Sequence, residues 1–459
     1  MASIIKRGNN VSVVYNYTDE FGKKRQKWVK VEPGEDPKAK KLEIELELQR
    51  DLHILPQSIS VREFMLKFAE AQATQKWAFN TYSGNLTMME NHIFPYIGDM
   101  ELQKVRPYHI EQLYRTLRKK PVTGPKSYNK DKKDIPLLSS TTVRHVHVLL
   151  NSAFEKAIQW RFIKESPVIC EAPKRAKKER AIWSSAETNE ALRIMEEQGD
   201  KFMHAAVHTA FACTLRNGET VALMRDCIEF DKHRIKIDKT LQRVNRKAFE
   251  EMPKDEVFFI FPDKVEGANS LLILKTPKTD SSSRYIFMTP QLEEELMQRI
   301  LYNDRMKEAY GDEYNDYGLV FCLDNGDPVE PKLMEKRFKK WQKRYSQHLP
   351  EIEFHGLRHS SVTYKLIVSE GDVKAVQGDS GHASATMVTD TYSHIQVERQ
   401  HELTSKFGQS FYQDGKGEEK NDNNDEGKPS KEFFSDLASQ FKKSPEMLQE
   451  LLMAMQAAN

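Results

Sequence analysis

Residues 355–392 read HGLRHSSVTYKLIVSEGDVKAVQGDSGHASATMVTDTY. His355 and Arg358 stand three apart, a spacing that places them on one face of a helix. His382 follows a glycine in a loop, and Tyr392 comes ten residues later, so two histidines, an arginine and a phenol fall within 38 residues. Guanidinium and imidazole groups suit a phosphate oxyanion. A phenol suits nucleophilic attack, because tyrosine forms covalent intermediates. The combination points to phosphoryl transfer on a nucleic acid.

The rest of the chain sets the bounds on that idea. At 459 residues it exceeds one ordinary domain, and two to four are expected. With 39% hydrophobic and 30% charged residues it is expected to be soluble and globular in the main. It has no apolar run of about 18 residues, so no membrane-spanning helix is expected. The opening MASIIKRGNNVSVV has neither the apolar core nor the cleavage site of a signal peptide, and the expected location is intracellular. The four cysteines, Cys170, Cys213, Cys227 and Cys322, are scattered without a CxxC pair, which argues against disulfides and a cysteine zinc site. Net charge is only +2, but it is unevenly placed. The tail from Gln413 has six Lys and ten Asp or Glu, 6 − 10 = −4, so residues 1–412 carry 2 + 4 = +6. Residues 1–30 hold seven basic and two acidic side chains, the kind of local cluster a nucleic-acid binder shows.

In chain order, Val11, Val13 and Tyr15 alternate with Ser12, Val14 and Asn16 and predict a strand; DEFGKK predicts a turn and Gln26–Val31 a second strand. A helix is expected over Asp36–Arg50. Tyr15, Tyr17 and Trp28 lie beside Lys23, Lys24, Arg25, Lys27 and Lys30, either as a DNA-facing surface or as a minimal core with a solvated charged face. From Ser60 the pattern is helical. Ser60 and Glu63 predict a capping box, a second helix is expected over Tyr82–His92 before Pro95, and Pro107 and Ser139 or Ser140 open two more. His145 and His147 stand two apart and read as surface or packing residues. EAPKRAKKER (171–180), with five basic and two acidic residues, reads as a domain boundary, either a plain tether or a strap along DNA. Next come a helix capped by Ser185, an apolar helix FMHAAVHTAFACT, and TLRNGE. RIKIDKTLQRV alternates as a strand. Leu271–Leu274 and Arg284–Met288 predict a hairpin around DSS. Thr289 and Pro290 open another helix, and one more follows the Asn325–Gly326 turn. Beyond Tyr412 the composition predicts disorder and then a terminal helix with a Met447, Leu448, Leu451, Leu452 and Met455 stripe, too short to fold alone.

Arg216, Lys278, His355, Arg358, His382 and Tyr392 resemble, one after another, the pattern of the tyrosine recombinase, or phage integrase, family. TLRNGE, KTPKTDSSSR, HGLRHS, and GH followed by DTYSHI carry the resemblance; KTLQR and TPKTDSSSR look most like integrases of Gram-positive phages and integrative conjugative elements. The resemblance implies a multidomain fold, mainly α with α+β. A small strand-rich arm-binding module would span 1–55, an all-helical, SAM-like core-binding domain 56–170, a basic linker 171–180 and an α+β catalytic domain 181–412. A disordered acidic linker, 413–430, and a helical extension, 431–459, would complete the chain.

Tyr392 would attack the scissile phosphate, leaving a 3′-phosphotyrosine and a free 5′-hydroxyl. Arg216 and Arg358 would clamp the non-bridging oxygens. His355 would act in proton transfer, His382 would hold the phosphate, Lys278 would protonate the leaving 5′-oxygen, and Glu219 would support Arg216. Lys275 is the competitor of Lys278; odd spacing on a strand sends the two to opposite faces, and the motif favours Lys278. Lys23, Lys24, Arg25, Lys27 and Trp28, with Lys174, Arg175, Lys177 and Lys178, are the expected DNA contacts. Ser380 stands where the family usually has Leu, a change expected to loosen packing without touching a reacting group. Transesterification conserves the phosphodiester energy, so no ATP, metal or other cofactor is implied. The implied partners are double-stranded DNA with core and arm-type sites, a homo-tetramer on that DNA, and accessory bending or excision-directing proteins. The implied location is the cytoplasm of a bacterial cell, at the nucleoid when active.

The alternatives are of different kinds. His355, His359 and His382 could be zinc ligands, but the stretch lacks an HExxH pattern and Arg358 would repel a cation. A non-catalytic DNA-binding protein, a type IB topoisomerase and a simple two-domain resolvase share the fold. The complete residue set disfavours the first, and residues 1–55 favour an integrase over the others.

Overall fold

A computed structural model of the protein describes residues 2–8, 10–18, 23–49, 59–75, 77–123, 135–174, 181–277 and 280–391. Strands β1 (Ala2–Arg7), β2 (Asn10–Thr18) and β3 (Lys24–Lys30) form an antiparallel sheet in that order, with Ser3 and Trp28 on either side of Val14. The alternation sorts its faces as expected: Val13 and Tyr15 join Ala2, Val31 and Ile44 of helix α1 (Pro37–Gln49) in a small core. β1 is a strand more than the sequence reading expected.

Helix α2 (Val61–Ala73) starts at the Ser60–Glu63 capping box, both halves of which form. The expected stop before Pro95 does not occur. Helix α3 (Phe79–Met88) continues as a π-wound turn, Met89–Gly98, with Pro95 inside it. Wider winding moves aside the carbonyl that the proline ring would strike in an α-helix. Helix α4 (Pro107–Arg118) has its proline at the first turn, and Ser139 caps α5 (Ser140–Gln159). Their apolar faces meet in a core that includes Phe64, Ile93, Leu113, Leu150 and Phe154.

The next segment opens with α6 (Ser185–Glu197), capped by Ser184 rather than Ser185, because Ser184 Oγ reaches the Glu187 N–H and closes a capping box. Helix α7 (Lys201–Ala212) and the short α8 (Asn217–Val221) follow. Strands β4 (Ile228–Glu229) and β5 (Arg234–Ile237) precede β6 (Thr240–Asn245), helix α9 (Arg246–Glu251), β7 (Val257–Ile260), β8 (Ser270–Lys275) and β9 (Arg284–Phe287). They make two antiparallel sheets, ordered β4-β5-β9 and β6-β8-β7. This corrects two expectations. RIKIDKTLQRV breaks at Asp238–Lys239 into strands of different sheets, and β8 and β9 are not a hairpin. β8 is a central strand already paired on both sides, while β9 pairs with β5. The polar insertion supplies α9 and β7, and Val244, Phe249, Leu271 and Ile273 extend the core of the helical segment.

A third core, with Trp183, Phe338 and Phe354 at fully buried positions, gathers α6, α7, β5 and α10 (Pro290–Tyr310) with α11 (Pro331–Tyr345) and α12 (Gly356–Val368). Gly326, at φ +82°, makes the expected turn, where an added Cβ would fall 2.2 Å from the Asn315 carbonyl oxygen. Helices α13 (Val373–Ser380) and α14 (Ala385–Thr391) pack on α12 through Val362, Leu366, Val376 and Val388. The expected tail beyond Tyr412 lies outside the described residues. No helix among the described residues is long and apolar enough to cross a membrane.

Candidate active site

The site is assembled on a strained residue. Thr214, just past α7, has φ +52°. A β-branched residue in this region costs on the order of 1–3 kcal/mol. Its surroundings hold it there. The Thr214 hydroxyl lies 2.8 Å from Ser361 Oγ and donates to Asp379 Oδ2 at 3.0 Å. Its carbonyl accepts from Arg358 Nη1 at 2.7 Å and Arg284 Nη2 at 3.4 Å. Asp379 also accepts from Lys365 Nζ at 2.6 Å. The bend that α8 follows therefore orients an arginine from α12.

Arg216 heads α8. Its Nη1 donates to Glu219 Oε1 at 2.5 Å and Ser282 Oγ at 3.1 Å, and its Nη2 to the Gly381 carbonyl at 3.3 Å. Glu219 is 2% exposed and also accepts the Arg216 backbone N–H at 3.1 Å and Arg284 Nη2 at 3.3 Å. Burial works to raise the Glu219 carboxyl, but the charges of Arg284, Arg216 and Arg358 outweigh it and hold the group below its usual range. Arg358 is 2% exposed, and burial first, then the charge of Arg216, push it down to about 9; it stays cationic at neutral pH. Its Nη2 is buried and has no hydrogen-bond partner among the described residues. A buried, charged donor left open in this way is expensive unless an anion completes it.

His382 follows Gly381, whose φ of +64° turns the chain at the end of α13. An added Cβ there would lie 2.7 Å from the Ser281 carbonyl oxygen, so glycine is required. His382 Nδ1 lies 2.6 Å from Ser380 Oγ. Burial, then the charges of Arg358 and Arg216, push the imidazole down to about 4 and keep it neutral. This corrects the expectation for Ser380: its side chain is fully buried against His382, because the left-handed glycine brings residues 380 and 382 together. His355 occupies the residue just before α12, with its ring 5.2 Å from that of His359.

Arg216, Glu219, Arg358 and His382 thus converge, and His355 stands at the head of the helix that carries Arg358. Lys278 and Tyr392 lie outside the described residues, as do Arg175, Lys177 and Lys178. Lys275 is buried in a different place, donating to Glu256 and lying over the Phe79 ring. Lys174 is exposed. On β3 the strand alternation divides the expected DNA contacts. Lys24 and Trp28 point to one face, with Arg7 stacked 4.6 Å over the Trp28 ring, while Arg25 and Lys27 point to the other with Val29. Burial lowers Lys27. Lys23 lies just outside the strand and is exposed.

The sequence reading missed Arg284. Its Nε donates to the Asp379 carbonyl at 2.8 Å and its Nη1 to the Ser282 carbonyl at 3.0 Å, tying β9 to the end of α13. The signal was there: period two puts Arg284 on the buried face of β9 with Ile286, where a charge needs partners.

Residues 184–399 match the Phage integrase family, and residues 60–118 match the phage integrase N-terminal SAM-like domain. A XerC-like tyrosine recombinase of Caldanaerobacter subterraneus subsp. tengcongensis is 24% identical over 275 residues, which are 56% of this chain and 63% of that protein. An integrase of Saccharopolyspora erythraea is 21% identical over 385 residues, 77% of this chain and 83% of that protein. Among solved structures, the Tn1549 transposon integrase in complex with transposon right end DNA aligns with a TM-score of 0.58 at 18% identity, covering 76% of this chain and all of that one.

Proposed function

Because the chain belongs to the phage integrase family and has the integrase fold, a SAM-like domain followed by a catalytic domain, we propose that it is a site-specific DNA recombinase of the tyrosine type. It integrates and excises a mobile element or phage genome. The observation that carries this reading is the open Nη2 of Arg358, buried beside Arg216 and a neutral His382. Two guanidinium groups and a hydrogen-bond donor around one vacant buried donor are what a phosphodiester with developing negative charge requires.

In the proposed reaction the Tyr392 oxygen attacks the scissile phosphorus and the bond to the 5′-oxygen breaks. His355 takes up the phenolic proton and Lys278 supplies one to the departing 5′-oxygen. The product is a 3′-phosphotyrosine and a free 5′-hydroxyl. A hydroxyl from a partner strand then reverses the step, and the phosphodiester energy is kept throughout. Arg216 and Arg358 hold the non-bridging oxygens; Glu219 holds Arg216 and the Thr214 carbonyl holds Arg358, with Arg284 tied to both of these acceptors. Exchange between two duplexes requires a cleavage on every strand, so the working assembly is a homo-tetramer on double-stranded DNA in the cytoplasm. Residues 1–55 would bind arm-type sites and accessory proteins would set direction.

The test uses a duplex of the attachment core with a nick beside the scissile phosphate. The wild-type chain should be trapped as a covalent protein–DNA adduct and Tyr392→Phe should not. An adduct that survives Tyr392→Phe overturns the nucleophile assignment.

A further inference from the structure

Ser380 Oγ and His382 Nδ1 lie 2.6 Å apart, both in buried side chains, with Gly381 reversing the chain between them. The neighbours decide which of the two donates. The hydroxyl's other nearby acceptor is the Gln377 carbonyl, at 3.4 Å. That carbonyl already accepts the backbone N–H of Gly381 at 2.9 Å and of His382 at 3.3 Å. A carbonyl oxygen has two lone pairs, and both are engaged. The serine proton is therefore better used on Nδ1, which must then carry none of its own.

The charge state makes this consequential. The groups that face the ring are Arg358 and His359 from α12, Arg216 at the head of α8 and Arg284 from β9; after burial, all of them disfavour the imidazolium. An imidazolium would donate from both nitrogens whatever its surroundings. A neutral ring has one proton, and its tautomer decides whether a phosphate oxygen meets an N–H or a repelling lone pair.

We propose that Ser380 is a positioning residue whose hydroxyl, by donating to Nδ1, holds His382 in the Nε2–H tautomer and so makes it a hydrogen-bond donor to the scissile phosphate. The phosphate half of this inference rests on the function proposed above, whereas the tautomer is a property of the free protein.

The experiment reads both. In the full chain labelled with 15N-histidine, the ring-nitrogen resonances of His382 are identified by their loss in His382→Gln. In the wild type, Nε2 should be pyrrole-like and protonated, and Nδ1 should be unprotonated. Ser380→Ala should show a mixture of tautomers and, on the nicked core duplex at neutral pH, form the adduct slower by on the order of tenfold or more, with DNA affinity little changed. Ser380→Cys, whose thiol is a weak donor of similar size, should fall between. A wild-type proton on Nδ1 overturns the inference, and does so even if Ser380→Ala fails to fold. So does a slower Ser380→Ala with an unchanged tautomer, or a changed tautomer without loss of rate. If the wild type shows the Nε2–H tautomer yet forms no adduct, the recombinase reading fails while the Ser380–His382 assignment stands.

Discussion

Glu219 is surrounded by the charges of Arg216, Arg284 and Arg358, so its carboxylate helps three guanidinium groups sit together. Glu219→Gln keeps the shape and removes the charge. It should destabilise the protein by about 3–5 kcal/mol, read from the urea midpoint, because it leaves buried cations uncompensated. An unchanged midpoint would show that the arginines do not depend on it. The pH dependence has two parts. His382, depressed from 6.5 to about 4, binds its proton less readily in the folded chain, so below pH 6.5 the unfolded chain takes up a proton that the folded chain refuses until about 4. Stability should fall with pH through that window. Glu219, held below its usual range, contributes stability that is present above that range and lost as pH falls through and beneath it. His382→Gln should flatten the first part and leave the second, as measured by thermal unfolding across pH; a slope unchanged in His382→Gln would refute the assignment. Arg216, Arg358 and His382 were legible because they are charged or titratable groups in short local patterns. Ser380 was misread because its role depends on a left-handed Gly381, and no pattern of residue types states that geometry.

The end of α13 shows how an element carries the site. Gly381 has φ +64° and no room for a Cβ against the Ser281 backbone, while its carbonyl receives Arg216. Gly381→Ala should cost about 1–3 kcal/mol and slow adduct formation roughly 10- to 100-fold by displacing His382. Gly326→Ala is the control. It is also strained, in a turn where an added Cβ would meet Asn315 and Tyr314 and none of the site groups, and should lower the unfolding midpoint with the adduct rate kept. Equal rate losses in the two variants would mean the effect is general instability. Helix starts were legible from capping residues and prolines, since those signals are local. The pairing of β8 and β9 was not. Both read as strands around a turn, yet β8 finds partners on both edges in β6 and β7, and β7 had been hidden inside a polar insertion. The same insertion supplies α9, where Phe249 meets the Phe79 ring at 5.5 Å and Glu251 accepts from the Tyr82 hydroxyl at 2.6 Å. Phe249→Ala should therefore destabilise the α2–α5 core by about 3 kcal/mol, seen as a lower unfolding midpoint. A midpoint equal to the wild type's would show that α9 is not part of that core.

At the scale of the molecule the charge is segregated: −4 lies beyond Tyr412 and 2 + 4 = +6 before it, with seven basic residues in the first 30. Such segregation supports DNA contact by the N-terminal sheet as a function separate from cleavage. The sheet also suggests which face would do this. Val14 and Tyr15 are both buried, but Tyr15 is covered by the module's own core, whereas Val14 lies opposite Trp28, which is 41% exposed under the Arg7 guanidinium. An exposed indole under Arg7, on the face that also carries Lys24, offers a stacking surface and cations together, unlike the opposite face, where burial depresses Lys27. The paired change Lys24→Glu and Trp28→Ala in the full chain should weaken binding to arm-type duplex. It should also make the slope of log K against log salt shallower by about 0.9 for each phosphate that the sheet then leaves unneutralised. Adduct formation on the nicked core duplex should stay as in the wild type, because the partners that hold Arg216, Arg358 and His382 among the described residues, Thr214, Glu219, Ser282, Ser380 and Gly381, lie outside the N-terminal sheet. If core adducts fell in parallel with arm binding, the sheet would be part of the cleavage machinery. If arm binding and its salt slope were unchanged, the DNA-facing surface would have to be sought among Arg25, Lys27 and their neighbours.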